Sequence, residues 1–328
     1  MDWLRVLAQT AGELIAPTTA AYALAAIGLN VHFGFTGLLN MGQAGFMLLG
    51  AYGFAIATIN GAALWQAVLV AMAAGAAFAL ILGIPTLKLR GDYLAIVTIS
   101  AAEIIRMVGR STVLDAYTGG SSGLTGNSFK GTFQALSPLP DGTTTIGPWT
   151  YANNGSDSWW LRIVAWLLVL AALLLVWLLT RSPWGRVLRG IREDEDAVRA
   201  LGKNVFAYKM QSLVLGGVMG ALAGVLFVLP RAVQPDGLGR TTTFWVWTVL
   251  LLGGAATVFG PVIGSMLFFA AYMLVRSGMR AAVPDTILSS TQIEQIGGLL
   301  VGVVLMCLVI FRPQGIFGNK KELAFDAH

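Results

Sequence analysis

The sequence predicts an all-α polytopic membrane protein with about eight to ten transmembrane helices and a broken second span. Of its 328 residues, 56% are hydrophobic and only 11% are charged, and the mean hydropathy is +0.74. A soluble domain of this composition would expose too much apolar surface to water. The net charge of +5 does not indicate nucleic-acid binding, because the basic residues lie in loops between apolar runs.

Nine apolar runs of about the length that crosses a bilayer are spread along the chain, so residues 1–328 are predicted to form a single transmembrane domain. Glycines at positions 37, 42, 45, 50 and 53 interrupt the second run, and Gly34 lies just before it, which predicts a broken or re-entrant span. A shift of 220 residues aligns Gly34 with Gly254 and Tyr52 with Tyr272, as expected of a duplicated half. The runs cover residues 14–33, 37–59, 63–84, 93–113, 159–180, 206–229, 243–259, 261–276 and 293–311.

The distribution of basic residues predicts the orientation of the chain in an inner membrane. Seven Lys and Arg residues crowd the stretch 181–209, and the segment after the last span contains Arg312, Lys320 and Lys321. Short loops rich in basic residues stay in the cytoplasm. The stretch 181–205 and the C-terminus are therefore predicted to be cytoplasmic, and the segment 114–158, with one Lys and three Asp, extracytoplasmic.

The stretch after Arg181 has the pattern of a short amphipathic helix. Ser182 suits an N-cap, Pro183 suits the first turn, and Gly202 suits the C-terminal end. Between them an apolar stripe at helical spacing faces a surface of mixed charge; the stripe consists of Leu188, Ile191, Val198 and Leu201. Mixed charge favours docking to a soluble partner, whereas a helix lying on lipid headgroups favours Lys and Arg without so many acids.

Polar residues inside apolar spans are the candidates for a translocation path. Glu103 and Arg106 lie three residues apart, so they share a helix face and are expected to pair. Asn40, Gly42 and Gln43 fall in the broken span, where irregular backbone is tolerated beside a cavity. The alternatives are a charge pair that only locks helix packing and small residues that only permit close packing.

Several other kinds of site are not predicted. His32 is interpreted as an interfacial side chain and Cys307 as a lipid- or core-facing residue, and no metal-ligand spacing, cofactor motif or catalytic constellation occurs. The sequence contains no Gly-rich phosphate-binding motif followed by Lys-Ser/Thr. If transport is driven by ATP, separate subunits must bind and hydrolyse it.

Six segments, in order along nearly the whole chain, resemble motifs of the branched-chain amino acid class of ABC importer permeases. They are GLLNMGQAGF at 37–46 with GAY at 50–52, LRGDYLAIVT at 89–98 with EIIR at 103–106, TGGSSGL at 118–124, RGIREDE at 189–195 with ALG at 200–202, GG at 253–254 with GPVIG at 260–264, and FRPQGIFG at 311–318. In this family, the segment similar to 189–202 contacts the ATPases. The resemblance thus implies an ATPase-coupling role for Arg189, Ile191, Arg192, Glu193, Asp194, Ala200, Leu201 and Gly202.

The same resemblance implies the partners. These are two cytoplasmic ABC ATPases, a related second permease and a periplasmic binding protein that delivers an amino acid. That protein is expected to dock on segment 114–158, for which an unstructured spacer is the alternative. Positions 40 and 43 are Asn and Gln, whereas Ser and His occur in many relatives, so urea, short amides and aromatic acids remain alternative solutes. An ion-coupled secondary transporter and a membrane-embedded enzyme are the rival classes.

Overall fold

The computed structural model describes residues 3–87, 91–147, 149–282, 290–311 and 314–318. Helices dominate it, and a two-stranded hairpin interrupts them once. In chain order the elements are α1 (Trp3–Glu13), α2 (Pro17–Asn30), α3 (Gln43–Ile59), α4 (Leu64–Thr86), α5 (Gly91–Gly109), α6 (Asp115–Thr118), α7 (Gly131–Gln134), β1 (Thr143–Ile146), β2 (Trp149–Ala152), α8 (Trp159–Arg181), α9 (Pro183–Glu193), α10 (Glu195–Ala200), α11 (Val205–Val228), α12 (Arg240–Gly253), α13 (Gly260–Ala282) and α14 (Ser290–Phe311). A π-helical turn, Val31–Phe35, continues α2.

Each of the nine predicted spans coincides with a helix. Five of the described spans are long and apolar enough to cross a membrane by themselves, and the shorter α3 is also apolar. The first of these spans runs from Val6 to Phe35 and includes most of α1. Helix α1 was not predicted, because the first apolar run was placed at residues 14–33. The prediction of an all-α polytopic protein is therefore confirmed.

Glycines let the central helices approach closely. Helix α2 is buried along almost its whole length, and α11 packs against α2, α3 and α4. A Cβ atom added at Gly50 of α3 would overlap the backbone of Ala221 in α11, and one added at Gly224 would overlap the backbone of Met47. Such close backbone contact replaces the hydrophobic driving force that is missing between helices in lipid.

The second span is broken before its helix rather than within it. Residues 36–42 are not helical, whereas α3 is continuous despite three of the glycines. A similar break separates α12 from α13, where Gly254 has a φ of 109° and Ala256 a φ of 64°. Asn30, the last residue of α2, binds this second break: it accepts a hydrogen bond from the Ala256 N–H at 2.9 Å and donates one to the Thr257 carbonyl at 2.7 Å. A duplicated half stays a prediction.

Segment 114–158 is folded and packed onto the helical body. Trp149 of the hairpin donates a hydrogen bond to the Ala8 carbonyl at 3.0 Å, and Leu124 pairs with Val233 as an isolated bridge. The Arg162 guanidinium lies 3.8 Å from the centre of the Tyr151 ring, and burial raises the pKa of that phenol above its ordinary value. The alternative of an unstructured spacer is wrong.

The side of the membrane on which each loop lies stays a prediction. The basic residues that flank the spans at Lys88, Arg90, Arg312, Lys320 and Lys321 lie outside the described residues. Within the described part, α9 and α10 are at one end of the helices and the hairpin is at the other, since α8 connects them directly. The two segments therefore occupy opposite faces, as the orientation scheme requires.

Candidate functional site

A buried polar cluster lies where the break before α3 meets the π-helical turn. The Asn40 amide nitrogen is 3.0 Å from His32 Nδ1 and donates a hydrogen bond to Gln43 Oε1 at 3.0 Å, while its oxygen accepts one from the Gly42 N–H at 2.8 Å. Gln43 donates in turn to the Ala25 carbonyl at 3.2 Å. The side chains of His32, Asn40 and Gln43 are fully buried, so these bonds replace those that water would make.

The interpretation of His32 as interfacial is wrong. Its exposed fraction is 0%, and its Nε2 lies 3.1 Å from the Leu213 carbonyl of α11. The π-helical turn and the break place the ring inside the helix bundle, a long-range effect that the position of His32 at the end of an apolar run does not indicate. A path role for Asn40, Gly42 and Gln43 stays a prediction, because all three are enclosed by this chain.

We expect Asn40→Ala to lower the free energy of unfolding by about 1–3 kcal/mol, because it leaves buried polar groups of His32 and Gln43 without their partner. Denaturant titration of the purified protein in detergent measures this loss. The matched control is Asn60→Ala, which removes an exposed side chain bonded only to the Ile56 carbonyl of its own helix. An Asn40 variant as stable as this control would show that the cluster does not hold the break in place.

A second polar cluster lies at the surface, where α5 meets the turn before α12. Glu103 and Arg106 pair as expected, with Arg106 Nη2 at 2.5 Å from Glu103 Oε1. Arg106 also pairs with Asp236, and Arg110 Nη1 lies 3.4 Å from the same carboxylate. Arg240, the first residue of α12, brings its Nε within 3.7 Å of Glu103 Oε2. Two carboxylates and three guanidiniums thus connect α5 to the turn.

This charged cluster borders a groove of about 650 Å³ along α5. The remainder of the groove is mostly apolar, and its lining residues are Ile99, Ser100, Glu103, Ile104, Met107, Val108, Ser111 and Arg240. Charges beside an aliphatic wall suit a small molecule that has both charged and aliphatic parts. Asp236 and Arg240 were not predicted as site residues, although a charged residue on each side of Gly237-Leu238-Gly239, directly before an apolar run, was a usable signal.

The predicted amphipathic segment forms two helices rather than one. Asp194 has extended φ/ψ angles and separates α9 from α10, and its side chain caps α10 by accepting the Ala197 N–H at 3.0 Å. Leu188, Ile191 and Val198 are buried as the stripe predicts, but Leu201 is 79% exposed. The break at Asp194 changes the helical phase, so the periodicity that placed Leu201 on the stripe does not continue.

The predicted roles of Pro183 and Gly202 in this segment are confirmed, whereas the predicted side-chain cap at Ser182 does not form. Gly202 follows the last helical turn with a φ of 75°, a left-handed conformation that suits glycine at this position. Pro183 starts α9, but the Ser182 hydroxyl donates back to the Leu179 carbonyl at 2.7 Å instead of capping the new helix. Glu193 and Asp194 are exposed. The outward face of α9 and α10 is therefore charged.

Arg192 connects α9 to the broken span. Its Nη1 donates a hydrogen bond to the Gly34 carbonyl at 2.5 Å, and its side chain and backbone enclose Gly37, which has a φ of 76°. Arg189 donates to the Thr180 carbonyl at 2.6 Å at the end of α8. Arg192 of α9 therefore contacts both the π-helical turn and the residues that precede Asn40.

Metal-ligating side chains are not grouped in the part of the chain that the structure describes, where no three His, Cys, Asp or Glu residues come close enough to hold an ion. Cys307 is exposed on α14.

Comparison with known proteins gives matches over most of the chain. The family model for the permease component of branched-chain amino acid transport systems matches residues 13–309. The high-affinity branched-chain amino acid transport permeases LivM of Salmonella typhimurium and Escherichia coli are each 31% identical over 317 residues, which cover 92% of this chain and 69% of theirs. A LivM-type permease of Methanocaldococcus jannaschii is 23% identical and covers 91% of both chains. The chain therefore belongs to the family of permease components of branched-chain amino acid transport systems.

Proposed function

We propose that this chain is the multi-pass permease subunit of an ABC importer that moves branched-chain amino acids across the bacterial inner membrane. The observation that carries the proposal is the α5 groove, which places a carboxylate and guanidiniums beside an aliphatic wall. An α-amino acid with a branched side chain has an ammonium, a carboxylate and an aliphatic group, which match these three elements. The LivM relatives favour this solute over urea, short amides and aromatic acids.

In the proposed path, Glu103 attracts the ammonium and Arg240 the carboxylate of the passing amino acid. Arg106 is bonded to both Glu103 and Asp236, so it holds Glu103 in position. Glu103 and Arg240 are 3.7 Å apart and partly exposed, so the ion pair between them contributes little free energy. A zwitterion can therefore replace this ion pair by binding to both side chains. The groove residues Ile104 and Met107 are exposed in the single chain, and a related second permease is proposed to close the groove from the other side.

The proposed coupling region comprises residues 181–205. Two cytoplasmic ATPases bind and hydrolyse ATP, one of them against the charged outward face of α9 and α10. Its movement reaches the membrane through Arg192, whose bond to the Gly34 carbonyl connects α9 with the break before α3. In this scheme the C-terminus is cytoplasmic, a periplasmic binding protein docks on segment 114–158, and this subunit has no ATPase site of its own.

We expect Glu103→Gln to reduce leucine uptake by at least about tenfold, because one charge-assisted hydrogen bond to the ammonium is lost. Arg240→Gln should have a similar effect through the carboxylate. Uptake of radiolabelled leucine by cells that rely on this importer measures both changes. The control is Asn60→Ala, which removes an exposed side chain outside both the groove and the coupling region, where it bonds to the Ile56 carbonyl of its own helix.

Surface expression is measured in parallel, so that a failure to insert is not mistaken for a failure to transport. Wild-type uptake in both groove variants would remove the groove from the path. It would leave the family assignment intact, since that rests on the sequence match over residues 13–309.

A further inference from the structure

A second cavity, of about 250 Å³, lies apart from the α5 groove, where the end of α1, the start of α2 and the end of α11 meet residues of α12 and α13. It opens on the face that carries the hairpin, since Thr18 is at the start of α2 and Arg231 follows the end of α11. The proposed transport path uses none of the residues that line it. Its walls combine charged groups near the opening with aromatic rings farther inside.

The charged groups come from three separate helices or their ends. Glu13 is the last residue of α1, Arg231 follows α11, and Arg276 lies in α13. Both guanidiniums are within electrostatic range of the Glu13 carboxylate. Arg231 is held in place, because it donates a hydrogen bond to Thr18 Oγ1 at 3.2 Å and its guanidinium carbon lies 4.8 Å from the centre of the Phe227 ring. The rim therefore presents both signs of charge, and Arg231 is held in a defined position.

The inner wall is aromatic. The Tyr22 ring lies 4.9 Å from Phe269 and 6.0 Å from Trp245, and Trp245 lies 5.3 Å from Tyr272, measured between ring centroids. Tyr22 and Phe269 are almost fully buried. Rings in this arrangement bind apolar groups over a large area, and their faces attract cations. A rim with both charges above an aromatic floor is the arrangement expected for an amphipathic zwitterion.

We propose that this cavity binds a small zwitterion with an ammonium and a monoanionic group on an apolar stem. Arg231 and Arg276 bind the anion, Glu13 binds the ammonium, and the aromatic floor takes the stem. The cavity has the volume of about eight waters at roughly 30 Å³ each, which is comparable to a molecule the size of leucine. Two sources share this chemistry, a free amino acid and the phosphoethanolamine headgroup of a lipid.

Calorimetric titration of the purified full-length chain in detergent tests the proposal, with leucine and glycerophosphoethanolamine as the two probes. We expect at least one probe to bind the wild-type chain. Glu13→Gln and Arg231→Gln should weaken that binding by at least about tenfold. Arg231→Lys keeps the charge and should retain most of the affinity. Leucine binding identifies a free amino acid as the source, and binding of glycerophosphoethanolamine alone identifies the lipid headgroup.

The matched control is Arg199→Gln, which removes an exposed arginine of α10 at the opposite end of the helices and should leave this binding unchanged, since no ATPase is present in the titration. Arg240→Gln is titrated as well, to separate binding in the cavity from binding in the α5 groove. Thermal unfolding of each variant confirms that it is folded. The proposal is overturned if neither probe binds the wild-type chain, or if Arg240→Gln abolishes binding while Arg231→Gln does not. The second result would place the zwitterion in the groove and so would support the transport path while removing this cavity.

Discussion

Glu193→Lys is expected to abolish ATP-driven uptake while the permease still inserts into the membrane. Glu193 is exposed at the end of α9, so its side chain can contact an ATPase. Reversing its charge replaces any attraction to a basic residue of the ATPase with repulsion. The ATPase subunits should therefore be lost when the permease is purified through an affinity tag. Leucine uptake and solute-stimulated ATP hydrolysis should fall to background.

Arg192→Ala should also abolish uptake, but through a different step. Arg192 contacts its own chain at the Gly34 carbonyl, so its loss should leave the ATPases bound and separate their movement from the broken span. The contrast between the two variants tests the mechanism more sharply than either one alone. Normal coupled uptake in both would contradict the assignment of α9 and α10 as the coupling region.

Gly224→Ala and Gly50→Ala should each destabilise the protein by about 1–3 kcal/mol, because the added methyl group overlaps backbone of the facing helix rather than a movable side chain. At an uncrowded helical position the same change has the opposite sign, since alanine favours a helix by about 1 kcal/mol over glycine. A methyl group added at Gly278 of α13 would have no neighbouring atom within 4 Å. Gly278→Ala is therefore the matched control.

Denaturation of the purified variants in mixed detergent measures these differences. A loss at Gly224 and Gly50 with no loss at Gly278 is the expected pattern. An equal change in the free energy of unfolding at all three sites would show that α3 and α11 can move apart without loss of stability. That result would contradict the close backbone contact between these two helices.

The helices were predictable because apolar runs of span length have few alternatives to a transmembrane helix. The residues at which the helices begin and end were less predictable. The second span starts at Gln43 rather than at residue 37, and α12 ends at Gly253 rather than at residue 259, because breaks in the helix depend on distant partners such as Asn30. The hairpin in segment 114–158 was missed, since its short strands carry no strong alternating pattern.

The candidate site was predictable only where its residues are close in sequence. The Glu103–Arg106 pair follows from helical spacing, and its geometry is confirmed. Asp236 and Arg240 are more than 100 residues away, so only the fold brings them to α5. The burial of His32 beside Asn40 and Leu213 likewise depends on α11 crossing α2, which no local pattern encodes.

The most direct measurement is leucine uptake into liposomes that contain the complex purified through this chain, with ATP supplied on the ATPase side. We expect uptake that requires ATP and the binding protein, and that is inhibited by excess isoleucine or valine but not by urea. Leucine uptake by this chain alone, driven by an ion gradient, would contradict it, as would a complex that transports urea or a short amide but not leucine.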